Sequence, residues 1–245
     1  MQVLVITPDN RTLVTDKGAP LWFDGAAIDV AKQECPDGLE GAVRRDVTTA
    51  QQLATRFGAQ LKSIRALSDD PRVARAAHLL RFRESHRFHP HSGKLLTHQA
   101  DQARDPHGVA VFPRIDPCVI GIVELEGHDR ILLGRNAQRP QFFSLVAGYV
   151  CPGETLEQCF AREVLEETGR SVHQMTYQGS QPWPMSGSLM MAFHAFTTDV
   201  HPRQTPDGEL IEIRWASREQ LATLPLAAPG SIARKLIDDW SHTCD

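Results

Sequence analysis

Two hydrophobic periods divide the chain. Near its start the pattern is mixed: the apolar runs at residues 3–6 and 21–23 read as short strands, and residues 48–57 read as a modest helix. Asp70-Pro71 opens a clearer helix, with Asp70 as cap and Pro71 in the first turn. Val73, Ala77, Leu80 and Phe82 form its apolar side, and Arg72, Arg75, Arg81 and Arg83 its polar side. A polar, histidine-bearing connection follows, through Arg87-Phe-His89-Pro-His91-Ser92-Gly93 to Arg104-Asp-Pro-His107-Gly108. From Cys118 the texture becomes strand-like: residues 118–124, a turn at 127–130, then 131–134, 142–147, 174–178, 188–196 and 212–216. One helix sits among these strands, after residue 154. A short helix beginning at Ser217 and a closing helix from Gly230-Ser231 through Trp240 come last. Strands around one helix, with helices added at the end, predict an α/β (α+β) architecture: a mixed sheet with a helix on either side.

Composition narrows the classes without choosing among them. The chain has 245 residues, 41% hydrophobic and 23% charged, which suits a soluble globular protein able to bury a core as one large domain or two small ones. Lys and Arg number 26 against 30 Asp and Glu, a net charge of −4, so no global pull toward nucleic acid or anionic membrane is expected. No apolar stretch approaches a membrane span, and the first residues lack the basic region of a secretory signal. Cys35, Cys118, Cys151, Cys159 and Cys244 are scattered, odd in number and never spaced as Cys-x-x-Cys, which fits a reducing compartment. A cytoplasmic protein with no membrane partner is the expectation.

The chemistry concentrates in Gly148-Tyr-Val-Cys-Pro-Gly-Glu154, continuing to Arg162-Glu163-Val-Leu-Glu166-Glu167-Thr-Gly169. At about 100° per residue, Glu163, Glu166 and Glu167 fall within one arc of the helix. Acidic runs are usually solvated faces. Here the same projection puts Glu163 and Glu167 beside Leu156 and Phe160, on the inward half, where repelling carboxylates need a compensating cation. An all-oxygen cluster suits a hard divalent ion, Mg²⁺ or Mn²⁺.

These residues resemble the Nudix box: Gly, five residues, Glu, seven residues, Arg-Glu-apolar-any-Glu-Glu-any-Gly-apolar. Gly148, Glu154, Arg162, Glu163, Val164, Glu166, Glu167 and Gly169 fit, and only Arg170 departs, at the final apolar position. The resemblance implies a Nudix fold and metal-assisted hydrolysis of a diphosphate linked to another group. It implies Glu163, Glu166 and Glu167 as metal ligands, with Glu209 as a further ligand or water-orienting base. From the residues alone, Glu209 reads nearly as well as an exposed carboxylate after the turn Pro206-Asp-Gly208. Glu154 and Arg162 are expected to brace the loop against the helix, a structural task shared with Gly148 and Gly169.

The run Ser180-Gln181-Pro182-Trp183-Pro184-Met185-Ser186-Gly187-Ser188 is a candidate for selectivity, because a tryptophan between two prolines makes a stiff platform for a planar ring. On composition alone, a proline-rich loop whose tryptophan plugs a core fits equally. The run resembles the Ser-Gln-Pro-Trp-Pro-Phe-Pro-any-Ser array of the NADH pyrophosphatase group, in which NAD-capped RNA is also a substrate, with Met185 and Ser186 as departures. That resemblance implies NADH or NAD⁺ as substrate, an NAD cap on RNA as a further one, and a homodimer in which Trp183 reaches the partner's site. It assigns Ala147, Tyr149, Gln181, Trp183, Ser188 and Ala233 to substrate. Hydrolysis of another nucleoside diphosphate derivative such as ADP-ribose, or a non-catalytic nucleotide sensor, are the competing readings.

The same group often carries a four-cysteine zinc ribbon, whose cysteines align with His89, Ser92, Arg104 and His107. Two of these cannot ligate zinc, and His89, His91 and His107 do not complete the paired spacing of a structural site, so bound zinc is not expected. The implied division is an N-terminal α+β domain over residues 1–70, a helix and degenerate ribbon over 71–113, and a catalytic domain over 114–245.

Overall fold

The computed structural model describes residues 2–30, 41–67, 69–99 and 101–243, so Cys35 and Cys244 lie outside the described residues. It falls into two compact units. One holds the chain up to Ile115 together with Pro182–Ser188, and the other holds Asp116–Gln181 and the chain from Leu189 onward.

In the first unit, β1 (Gln2–Ile6), β2 (Arg11–Val14), β3 (Trp22–Asp24), β4 (Gly41–Arg44) and β5 (Gln60–Ser63) form one sheet, accompanied by α1 (Val47–Phe57) and α2 (Pro71–Ser85). β1 pairs antiparallel with β2 and β3 and parallel with β4. Side chains alternate across a strand, and both faces of β1 are covered. Leu4 and Ile6 pack with Val73, Ala77 and Leu80 of α2, while Val3 and Val5 pack with Ala50 of α1. A strand buried on both faces reads as an unbroken apolar run, so β1 is plain in the sequence. β2, β4 and β5 are not. β5 carries exposed polar residues, β4 starts on a glycine, and β2 buries Thr12, whose hydroxyl donates to Val5 O at 2.8 Å. α2 begins as expected: the Asp70 carboxylate accepts from the N–H of Arg72 at 2.9 Å and of Val73 at 3.3 Å.

The polar connection after α2 contains a small antiparallel sheet of β6 (Thr97–His98), β7 (Ala103–Arg104) and β8 (Ala110–Val111). A minimal core of Phe82, Leu96 and Ala103 supports it. Its two turns are held by side-chain acceptors. His89 Nδ1 accepts from the N–H of His91 at 3.2 Å and of Ser92 at 3.1 Å. The buried Asp105 carboxylate accepts from the N–H of His107 and of Val109, both at 2.9 Å, and Ser92 Oγ donates to it at 3.3 Å, tying the two turns together. Burial pushes the Asp105 carboxyl up, but the hydrogen bonds from Val109 and His107 outweigh it and hold the group below its ordinary 3.8. His91 and His107 are exposed. Among the described residues, no three His, Cys, Asp or Glu side chains gather so as to hold a metal ion.

The second unit contains β9 (Asp116–Leu125), β10 (Arg130–Asn136), β11 (Val146–Tyr149), α3 (Leu156–Thr168), β12 (His173–Trp183) as far as Gln181, β13 (Ser188–Thr197) from Leu189 on, β14 (Leu210–Ser217), α4 (Arg218–Leu221) and α5 (Ile232–His242). The sheet order is β12-β13-β9-β10-β14, with β11 also paired to β9. Val119 and Val123 of β9 face Phe160 and Val164 of α3. Glu124, pointing to the other face, accepts from Trp240 Nε1 of α5 at 2.9 Å. A helix therefore covers each face, as the order of elements predicts. No helix among the described residues is long and apolar enough to cross a membrane.

Two stretches differ from expectation. The apolar run at 142–147 is regular strand only from Val146. Earlier, Ser144 bridges Gly134 and Phe143 bridges Leu226, and burial of Phe143 accounts for the hydrophobic signal. The array at 180–188 is not a free loop: β12 continues through Trp183, β13 starts at Ser188, and only the residues between them turn.

Asp105→Ala should therefore speed hydrogen exchange at the His107 and Val109 amides and open residues 89–108 to protease, with the second unit's sheet unaffected. Because the folded-state pKa is depressed, the aspartate's contribution is present above about pH 4 and lost as pH falls through its folded value. Wild-type protein should show the same local exchange at low pH.

Candidate active site

β11 delivers Ala147, Gly148 and Tyr149 onto β9, opposite Ile120, Val119 and Cys118 respectively. The chain then turns through Cys151–Glu154, where the Glu154 carboxylate accepts from Cys151 N–H at 2.9 Å. α3 opens on a capping box: Thr155 Oγ1 accepts from Gln158 N–H and Gln158 Oε1 from Thr155 N–H. It closes at Gly169, its left-handed C-cap.

One guanidinium joins this loop to the helix. Arg162 donates from Nε to Glu154 Oε1 at 2.5 Å, from one terminal nitrogen to Glu154 Oε2 at 3.0 Å and Tyr149 O at 3.1 Å, and from the other to Glu163 at 2.8 Å and Glu166 at 2.9 Å. The Arg162 hydrogen bond, foremost, holds the Glu154 carboxyl down at about 2.

The acidic cluster is short of positive charge on its inner side. Glu167 is 3% exposed, and burial, followed by the carboxylates of Glu209, Glu163 and Asp207, pushes it up to about 8, with Arg139 acting weakly against them. Burial also raises Glu163, with Glu166 and Glu209 adding to the effect and Arg162 opposing it. Glu209 thus feels the same field as the helix carboxylates, although it sits beyond them in sequence, just before β14. Backbone ties bring it there: Asp207 N–H donates to Glu166 O at 2.9 Å, Glu209 N–H to Asp207 Oδ1 at 2.9 Å, and Ala137 N–H to Glu209 O at 3.0 Å.

Gly148 is a glycine because of this cluster. A Cβ there would lie 1.9 Å from Glu163 Cδ, so β11 can pass under the carboxylate only without a side chain. Arg170, at the position where the box pattern calls for an apolar residue, is buried all the same. Its guanidinium donates to Thr168 O, Asp199 O and Val200 O at 2.8, 3.1 and 3.0 Å and lies over the Trp215 ring. Its apolar stem and cation–π contact do the packing an aliphatic residue would do.

The residues assigned to substrate separate into groups. Tyr149 is 54% exposed at the end of β11, whereas Ala233 is buried in the first turn of α5. Gln181 is buried as well: its amide donates to Gly230 O and accepts from Ile232 N–H, both at 2.9 Å, fastening the start of α5. Trp183 and Ser188 belong to the tip grouped with the first unit. There Arg65 lies over the Trp183 ring, Met185 packs against the core shared by β1 and α2, and buried Ser188 shares a hydrogen bond with Ser186 Oγ at 2.9 Å. Asn136, Arg139 and Asp207, which surround Glu209 and Glu167, belong to no motif. The Asp-Gly turn at 207–208 is the only local sign that something is placed there.

Known proteins match this arrangement. The NUDIX domain model matches residues 116–239. The NAD-capped RNA hydrolase NudC of Mycobacterium bovis (strain BCG / Pasteur 1173P2) is 34% identical over 98% of this chain and 85% of its own length. The protein of the same name from Yersinia enterocolitica is 35% identical over 87% of each. The crystal structure of a NUDIX hydrolase from Nitrosomonas europaea, 20% identical, aligns with a TM-score of 0.50 over 63% of this chain and 90% of that one, a likeness of fold. Fold and box together define a Nudix hydrolase. The chain belongs to the NUDIX family, in the group that contains the NudC proteins.

Gly148→Ala forces Glu163 or β11 to move. It should destabilise the protein by about 1–3 kcal/mol, the usual penalty of overpacking, seen as a lower denaturation midpoint in urea.

Proposed function

We propose that the protein hydrolyses the pyrophosphate of NADH or NAD⁺, releasing AMP and reduced or oxidised nicotinamide mononucleotide. We extend the proposal to an NAD cap at an RNA 5′ end, which exposes the same pyrophosphate. The observation that carries it is the end-to-end likeness to NudC proteins combined with an intact set of box carboxylates. A non-catalytic sensor would have no need of that set.

The cofactor we assign is Mg²⁺ or Mn²⁺, with Glu163, Glu166, Glu167 and Glu209 as ligands. As they stand, no three of these carboxylates converge closely enough to hold an ion, but the chemistry of the donors fits: all are hard oxygens, and Glu163 and Glu167 are raised by burial and by neighbouring carboxylates, the mark of a cluster lacking counter-charge. A bound divalent ion neutralises phosphate charge and lowers the pKa of its water. Arg162 keeps Glu163 and Glu166 paired and pointing along one side of α3, and Glu166, the more exposed of the two, can leave it at little cost. Glu209 is placed to ligate or to orient the attacking water. Tyr149 offers an exposed ring for a base, and Ala147 and Ala233 are assigned to substrate as small residues. Gln181 serves by holding α5 in place, and Trp183 supplies the aromatic platform. Residues 114–245 are the catalytic domain in this reading, with 71–113 a degenerate ribbon segment, 1–70 an N-terminal domain and zinc absent. The protein acts in the cytoplasm as a homodimer.

One observation favours a broader specificity. Gln181, Met185 and Ser188 are engaged with the protein itself, so fewer array residues remain to read a dinucleotide, and ADP-ribose becomes the competing substrate. Turnover of NADH, NAD⁺, NAD-capped RNA, ADP-ribose and a nucleoside triphosphate, compared with Mg²⁺ and with Mn²⁺, decides. NADH should yield AMP and reduced nicotinamide mononucleotide at the highest kcat/KM, and a preference for ADP-ribose or the triphosphate would sink the proposal. Glu166→Gln should remove turnover while leaving the circular dichroism spectrum unchanged.

A further inference from the structure

β10 and β14 pair in register from Arg130 opposite Ser217 to Arg135 opposite Glu212, and there the register breaks: the next pair is Asn136 with Leu210. Ile211 is the extra residue on β14, and at 58% exposure it is an apolar side chain pushed outward. A bulge of this kind re-aims the side chains beside it and commonly lies next to a functional site. What this one aims is Asn136. Its amide nitrogen donates to Glu209 Oε1 at 2.9 Å, and its amide oxygen accepts from Gln138 N–H at 2.8 Å. Both ends of the amide are therefore used, and the backbone donor at Gln138 fixes which end faces the carboxylate. The neighbouring Ala137 N–H holds the main chain of the same glutamate.

Glu209 needs such help. It is exposed, it lies on a loop rather than on α3, and it feels the repulsion of Glu163 and Glu167. A long carboxylate side chain in that setting would swing toward solvent unless a donor held it. We propose that Asn136 is a positioning residue: through its amide it holds the Glu209 carboxylate toward the α3 carboxylates, so that the loop glutamate and the helix glutamates can share one divalent cation. This rests on the assignment of Glu209 as a ligand in the proposed function. It adds a residue that carries no charge and belongs to no box position.

Loss of a hydrogen-bond partner to a ligating carboxylate typically costs 10–100-fold in metal affinity or activity. With an exposed carboxylate, the low end applies. Mn²⁺ binding to the full chain, measured from the free-ion electron paramagnetic resonance signal with no substrate present, should weaken about tenfold in Asn136→Ala. Turnover at limiting metal should fall in parallel, and thermal midpoint should be unchanged. Asn136→Gln, which keeps the donor one methylene further out, should recover part of the loss. In a Glu209→Ala background, Asn136→Ala should cost nothing more, because its only route to the metal has gone. Wild-type Mn²⁺ affinity in Asn136→Ala, or an equal loss with and without Glu209, would overturn the inference while leaving Glu209 as ligand. Wild-type affinity in Glu209→Ala would overturn that assignment and the role of Asn136 with it.

Discussion

The second unit's site depends on the charge balance around Arg162. A guanidinium has five N–H donors in a fixed plane, and here they serve five residues: the loop carboxylate of Glu154, the carbonyl of Tyr149 at the end of β11, the helix carboxylates of Glu163 and Glu166, and the Cys159 sulfur. One side chain thus fixes the distance from strand to loop and from loop to helix. It also does part of the work of a cation, since without it three glutamates would repel one another across a single helical turn. Lysine could supply the charge but not the geometry, because a point charge cannot reach both oxygens of Glu154 and two further carboxylates in one plane. Arg162 compensates only the outer carboxylates, however. Glu167 has no share in the fork, and burial together with the neighbouring carboxylates leaves it raised to about 8, so the inner side of the cluster is the part without counter-charge.

Close packing turns that electrostatic arrangement into a sequence pattern. Glu163 can lie half-buried against β11 only because Gly148 has no side chain. Phe160 and Val164, on the same face of α3, press into β9 and set how far the helix stands from the sheet. Spacing along the box is thus the consequence of one contact between a strand and a helix, with the loop length set by the fork of Arg162.

How legible each part was follows from how local its cause is. The box helix, its cap at Thr155 and its stop at Gly169 are written in consecutive residues, as are the Asp70 cap and the doubly buried β1. The strands of residues 97–111 were not legible because they are two residues long, and their turns are held by Asp105 and Ser92, side chains thirteen positions apart whose hydrogen bond has no periodic signature. The same holds at the site. Glu163, Glu166 and Glu167 are a helical pattern, but Glu209 joins them through the Asp207 to Glu166 backbone bond, and Asn136 meets Glu209 across seventy-three residues. Pairing of distant loops cannot be read from spacing.

The array around Trp183 shows a subtler limit. Its residues look like one recognition element because they are consecutive, yet the structure gives them to different tasks. Gln181 spends both ends of its amide on the start of α5. Met185 fills part of the core made by β1 and α2, and Trp183 carries Arg65 on its ring. The match at Gln181 can therefore reflect the need to hold α5 and Ala233, with no contact to a nucleotide. Met185 in place of phenylalanine is compatible with the same task, because an unbranched, flexible side chain can pack against the core of β1 and α2. Of the array, Trp183 alone is aromatic, and its ring carries Arg65, so the indole too is committed to the unit built on β1 and α2.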